Sequence, residues 1–277
     1  MRGQLRALAE TGVVERRRRD DFPGSLDLEL TESGRELWAV AQVLAAWLQT
    51  APDGPLPLGS AAAKSAIKAL VEGWSTSIVR ALAARPLSLT ELNDLISGLS
   101  YPSLERRLGA MRLCGQIERV SGRGRSVPYT ATAWLRQAIA PLSAAARWEQ
   151  LRIGATAAPI RRLDVEAAFL LVMPLLDLEG DVSGTSRLAV EVGGANGSGL
   201  AGVLVSVGDG EVTSCVAKMQ GNADAWAIGS APAWLQAVIE EDTGRLEVGG
   251  DGQLVRALLT GLHGALFGKA WSERPPQ

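Results

Sequence analysis

The stretch Gly73–Val120, GWSTSIVRALAARPLSLTELNDLISGLSYPSLERRLGAMRLCGQIERV, spells out a run of short helices. In Trp74–Ala84, Ile78 and Leu82 stand one turn apart, and Pro86 ends the helix. Ser88 or Thr90 caps the next helix, Glu91–Ile96, and Gly98 supplies a sharp turn after it. Ser100 caps a further helix, whose Pro102 sits in the first turn, where no amide donor is required. There Leu104, Leu108 and Met111 share one face and call for burial. Pro102, Arg106 and Gly109 point the other way, with Ser103 and Arg107 on the flanks, and Gly115 stops the helix.

Working outward, Lys64–Leu70 carries Ile67 and Leu70 at helical spacing upstream. Downstream, Ile117–Val120 and Val127–Thr130 form a two-stranded ribbon around a Gly- and Arg-rich tip, SGRGRS, and a last helix runs from Thr132 to Trp148. Helix, turn, helix and basic ribbon make a winged helix-turn-helix. The second helix of the pair suits a DNA major groove, and its polar face offers Ser100, Tyr101, Ser103, Arg106 and Arg107. Arg123 and Arg125, set among glycines, let the wing approach a phosphate strand or the minor groove. The bland alternative is a solvated basic surface, with Glu105 beside Arg106.

The same pattern occurs earlier in the chain. Met1–Arg17 aligns without gaps on Leu104–Val120, placing Leu5 on Leu108, Leu8 on Met111, Gly12 on Gly115 and Glu15-Arg16 on Glu118-Arg119. Beyond the wing, Thr31 and Trp47 match Thr132 and Trp148 at the same separation. The expected organisation is a partial copy (1–50), a Pro/Gly-rich linker (51–60) and a complete copy (61–150). The first copy begins inside the reading helix. Either its start lies upstream, or it keeps only a wing, Arg16, Arg17, Arg18 and Arg19, and a dimerising helix, Glu32–Leu48.

Residues 160–277 change character. A helix is expected over Ile160–Leu176, with Leu163, Ala167, Leu170 and Leu171 on one stripe. Strands follow at Ser186–Val192, Gly199–Val207, Glu211–Met219 and Ala223–Ile228, with Gly208-Asp209-Gly210 as a hairpin turn. Ser230 caps the helix Pro232–Glu240, Leu246–Val248 is a short strand, and Gln253–Phe267 is the closing helix. This is an α+β unit with a sheet on one side and helices on the other.

Composition narrows the function. Apolar residues are 47% and charged residues 21% of the 277, a core-forming chain. Its longest uncharged apolar run, Ala167–Leu176, is far short of the about 20 residues a membrane span requires, so no membrane partner is expected. Two cysteines, Cys114 and Cys215, and the lack of a signal-like apolar segment fit a cytoplasmic protein. A single histidine, His263, leaves no histidine metal site, and no cofactor or metal is expected. No activated nucleophile or acid–base pair emerges, so the chain reads as a non-enzyme, against a pocketed hydrolase as the remote alternative. Residues 1–150 carry a balance of +4 and 151–277 one of −6, suggesting different partners for the two parts.

The stretch quoted above resembles the HxlR-type winged-helix regulators, relatives of the MarR group. LTESGRELWAVAQVLAAW (Leu30–Trp47) resembles the segment after the wing in that family, although the second copy has Leu135 in place of the glycine. The resemblance implies double-stranded DNA as partner and pairing of terminal helices, as a homodimer or as a pseudo-dimer within one chain. The back half, through AWAIGSAPAWLQAVIEED and LEVGGDGQLVRALLTGL, resembles the sterol carrier protein type 2-like fold. That likeness implies an apolar pocket for a small hydrophobic ligand, for which Trp226, Trp234, Leu258 and Phe267 are the candidate walls. The expected function is a ligand-responsive transcriptional regulator. The alternative is a carrier or sequestering protein for a hydrophobic metabolite, with the winged helices kept for dimerisation.

Overall fold

The computed structural model describes residues 2–18, 26–96, 98–120, 127–153, 159–194 and 197–272. The complete winged unit comprises α3 (Ala61–Val71), α4 (Ser75–Ala84), α5 (Leu89–Leu95), α6 (Tyr101–Leu113), β3 (Ile117–Arg119), β4 (Tyr129–Ala131), α7 (Ala133–Gln137) and α8 (Ile139–Arg152). Ser88, not Thr90, caps α5: its Oγ accepts from Glu91 N while Glu91 accepts from the Ser88 amide. Leu104, Leu108 and Met111 of α6 are buried against Ile78, Leu82 and Leu92. Leu87 adds a one-residue bridge to β4, exchanging two backbone bonds with Tyr129. Within the expected linker, Leu56 N donates to Leu48 O and Pro52 packs over Gly115.

Residues 2–49 repeat part of this plan as α1 (Arg2–Glu10), β1 (Val14–Arg18), β2 (Leu26–Leu30) and α2 (Glu32–Gln49). Details coincide down to single bonds. Gly12 (φ +70°) and Gly115 (φ +74°) both leave their helix in the left-handed region. Thr31 Oγ1 donates to Gly12 O at 2.6 Å and caps Gly34 N, and Thr132 Oγ1 donates to Gly115 O at 2.8 Å and caps Leu135 N.

The two units differ after the cap. The single helix expected over Thr132–Trp148 is two, because the chain turns at Ala138. Pro141 has no amide to donate back to Gln137, so a continuous helix loses a bond there. In α2 the cap passes within reach of Val13 O, which lies 2.0 Å from where a Cβ on Gly34 would stand.

The terminal helices pair reciprocally. Trp47 Nε1, near the end of α2, donates to Trp134 O in the first turn of α7 at 2.8 Å. Trp148 Nε1, near the end of α8, donates to Ser33 O in the first turn of α2 at 3.0 Å. Under the alignment above Trp47 corresponds to Trp148, and Trp134 to Ser33, so one contact is made twice. Trp134 Nε1 returns a bond to Trp47 O at 2.9 Å, and the two indoles stack with centroids 4.4 Å apart. Arg152 fixes the far end of the pair by bonding Glu36 at 2.5 and 2.6 Å. These bonds hold the Glu36 carboxyl below its usual range.

The rest is α9 (Arg162–Val172), β5 (Gly184–Gly194), β6 (Gly197–Gly208), β7 (Glu211–Val216), β8 (Ala225–Ser230), α10 (Ala231–Glu240), β9 (Glu247–Gly250) and α11 (Gly252–Ser272). The sheet runs β7-β6-β5-β8-β9, antiparallel except for the β5–β8 crossover pair. Both Asp209 and Gly210 have positive φ, as a two-residue hairpin turn between β6 and β7 demands. The helix expected over Ile160–Leu176 is shorter, since Pro174 falls in a 3₁₀ turn at Met173–Leu175. Leu163, expected inward, is 63% exposed, and Val165, Phe169 and Val172 face the sheet instead. The two cores interlock: Val43 and Ala140 join the sheet core, while Ala167 and Leu171 of α9 join the winged core.

Candidate functional site

The α6 helix divides cleanly. Its apolar stripe is fully buried, and Ser100, Tyr101 and Arg106 stand exposed on the other side, with Ser103 and Arg107 half-buried beside them. Ser100 occupies the N-cap position, but its hydroxyl donates to Ser103 Oγ (2.9 Å) rather than capping an amide. Pro102 offers no N–H, and the Ser103 amide is taken by Ser100 O. Arg106 Nη2 donates to Ser103 Oγ at 3.2 Å, so hydroxyls and guanidinium form one polar strip along the helix start. Arg107 is turned aside, its Nη1 bonded to Glu72 Oε2 of the α3 C-cap at 3.3 Å.

Of the expected wing residues, Arg123, Arg125 and Arg19 lie outside the described residues, and the side chains of Arg16 and Arg18 do too. Arg17 is exposed and paired across the β1–β2 ribbon with Glu29 at 3.0 Å. In α1 the positions aligned with Arg106 and Arg107 hold Gly3 and Gln4.

The expected pocket walls are dispersed. Trp226 lies on the opposite sheet face from the helices, in the register row Gly249–Trp226–Arg187–Leu204–Val216, its ring laid over Gly249. Strand alternation puts Ala225 and Ala227, not Trp226, under the helices. Leu258 and Phe267 are buried in the sheet core.

Trp234 lines an open space. That space is a cavity of about 390 Å³ between the winged part and the C-terminal helices. Its walls come from α4 (Val79, Arg80), α8 (Leu142, Ala146, Arg147), α9 (Ala168, Phe169) and α10 (Trp234, Leu235), and from Leu262 and Leu266 of α11. Phe169 meets Trp234 edge to face at 5.5 Å, and Trp234 Nε1 donates to Ala189 O at 2.6 Å, fixing this wall. Arg80 of α4 and Asp164 of α9 form an ion pair across the two parts.

Burial pushes the Cys114 and Cys215 thiols up, Cys215 to about 12, which disfavours the thiolate form of each. His263 ties α11 to α10, its Nδ1 3.0 Å from Val238 O and its Nε2 3.8 Å from Glu241. Among the described residues no three His, Cys, Asp or Glu side chains gather as metal ligands, and no helix is long and apolar enough to cross a membrane.

Residues 1–53 match the model of the HxlR-like helix-turn-helix family. The HxlR-like segment is the unit α1–β1–β2–α2, the shorter of the two. No curated protein matches the chain. Helix-turn-helix families are DNA-binding, and the HxlR-like match therefore points to nucleic acid as the partner of this part.

Proposed function

We propose that the chain is a cytoplasmic, ligand-responsive transcriptional regulator, a binding protein rather than an enzyme. Its two winged units are copies of one ancestral unit, paired inside the chain as a pseudo-dimer. The reciprocal Trp47 and Trp148 bonds support that pairing. The observation that carries the DNA reading is the division of α6, with Leu104, Leu108 and Met111 at 0–1% exposure behind a free polar strip. Such a helix, beside a basic ribbon, fits a groove about 12 Å wide. Because Gly3 and Gln4 replace the arginines in α1, the two halves read DNA unequally, and an asymmetric operator suits them better than a palindrome.

The acidic C-terminal part is proposed to hold a small hydrophobic effector. Its order of helix, three antiparallel strands, crossover strand, helix, strand and helix supports the sterol-carrier-like likeness. The test is fluorescence anisotropy on labelled duplex DNA across a salt series. Arg106→Ala combined with Arg123→Ala and Arg125→Ala removes three cationic contacts. The log K against log salt slope should flatten by about 2–3 units. Unchanged affinity and slope would remove α6 and its wing from the function. The carrier alternative gains if the wild-type chain binds no duplex at all.

A further inference from the structure

The cavity between the two parts is mostly apolar; besides Thr76, Ser143 and Gln150 its lining holds four ionisable side chains, and these are not equivalent. Arg80 and Asp164 neutralise one another. Glu149 is exposed to solvent. Arg147 differs. Its Nη2 donates to the neutral amide oxygen of Gln236 at 3.1 Å, and its Nε is buried with no hydrogen-bond partner among the described residues. Nε and Nη2 form the side-on fork of a guanidinium, the edge that takes a carboxylate or sulfonate with two parallel bonds. Here that fork is half filled, at the wall of a cavity large enough for a small molecule.

An unsatisfied buried donor is costly, and apolar surroundings strengthen the bond of any acceptor brought to it. An uncharged hydrocarbon would fill the space and leave Nε orphaned. A cationic head brings no acceptor for Nε. An apolar body with an acidic head satisfies both halves of the site, displacing Gln236 Oε1 from Nη2 and giving Nε its first acceptor.

We propose that this inter-module cavity is a binding site for an amphipathic anion, with the acid head on Arg147 and the apolar body against Leu142, Phe169, Trp234 and Leu262. The site is walled by winged-unit helices as much as by C-terminal ones. It rests on the effector reading above and specifies the ligand class for it.

The test uses two fluorescent reporters of similar size, anilinonaphthalene sulfonate and the uncharged N-phenyl-1-naphthylamine, titrated into the full chain. Ala146→Trp and Ala168→Phe intrude from opposite walls, one in α8 and one in α9, and each should weaken both reporters tenfold or more. Arg147→Met should weaken the sulfonate about tenfold and leave the neutral reporter within twofold. Arg147→Lys should recover part of the loss. Thermal unfolding of each variant without ligand confirms that it is folded. Reporter affinities indifferent to both intruding residues overturn the site. Equal losses of the two reporters in Arg147→Met, or no loss of either, overturn the anion preference. Anisotropy on DNA separates this proposal from its parent. Reporter binding with the expected variant pattern but no DNA complex supports the site and sinks the regulator, whereas a DNA complex with no reporter binding sinks the site.

Discussion

Removing either indole of the Trp47–Trp134 pair tests whether the reciprocal contact holds the two winged units together. Both side chains are 4% exposed, and each Nε1 donates to the other residue's main-chain oxygen, at 2.8 and 2.9 Å. In Trp47→Leu, Trp134 O loses its donor in a buried site, a cost of about 1–3 kcal/mol. The lost stacking adds about 0.5–1.5 kcal/mol, and the smaller side chain leaves a void. Each single variant, Trp47→Leu or Trp134→Leu, should therefore lose about 3 kcal/mol. The two hydrogen bonds do not depend on one another, since each acceptor is backbone, but the stack needs both rings. In a double-mutant cycle the pair should fall short of additivity by about 0.5–1.5 kcal/mol, the stacking alone. Urea unfolding followed by circular dichroism reads these values, and amide exchange in α2 and α7 reports whether the loss is local. Trp38, 56% exposed, is the control, and Trp38→Leu should stay within about 0.5 kcal/mol of wild type. Single variants as stable as the Trp38 control, or strict additivity, would refute the claim that these rings clamp the units.

Gly34→Ala places a Cβ against Val13 O and should cost about 2 kcal/mol or more, read as early loss of exchange protection in β1, β2 and the first turn of α2. Ser88→Ala removes the cap of α5 and should cost about 1 kcal/mol in the same unfolding assay. The Ser88 amide, with Arg85 behind it, holds the Glu91 carboxyl at about 2 against an ordinary 4.5. Its folded pKa is depressed, so its stabilisation is present above pH 4.5 and is lost as pH falls toward 2. Glu91→Gln should erase that part of the acid sensitivity of α5 exchange.

What the sequence revealed was local, and what it concealed was assembled from distant segments. Ser88, Thr132 and Ser230 announce their helices because a cap acts on amides two or three residues away. Asp209-Gly210 announces its hairpin for the same reason. Pro141 also carried its message, but a helix pattern that continued to Trp148 masked the break at Ala138. Trp226 faces away from the helices although it is large. In Ala-Trp-Ala-Ile the alternation puts the large residues on one face, and the helices packed on the other, where alanines allow close approach. The cavity had no sequence signature, since its walls run from Leu70 to Leu266 and meet only when two cores interlock.

That interlocking bears on how an effector acts. Three arginines of the complete winged unit reach C-terminal helices. Arg80 pairs with Asp164, Arg147 donates to Gln236, and Arg136 Nη1 donates to Leu170 O and Leu171 O at 3.3 and 3.2 Å, closing the end of α9. Two of the three line the cavity, so a ligand seated there competes with the same groups that join the parts. A shift of α8 cannot stay local, because α8 is bonded to α2 through Trp148 and Arg152, and α2 carries the HxlR-like wing. Under the proposed function, cavity occupancy would reach the first unit through these bonds. The size of the response is bounded by the ligand's preference between the two arrangements, typically about 1–3 kcal/mol, or roughly 5- to 150-fold in DNA affinity. On the proposed reading, a ligand that leaves the arginine contacts in place would bind without signalling, and displacement of Gln236 from Arg147 would separate an effector from a mere occupant.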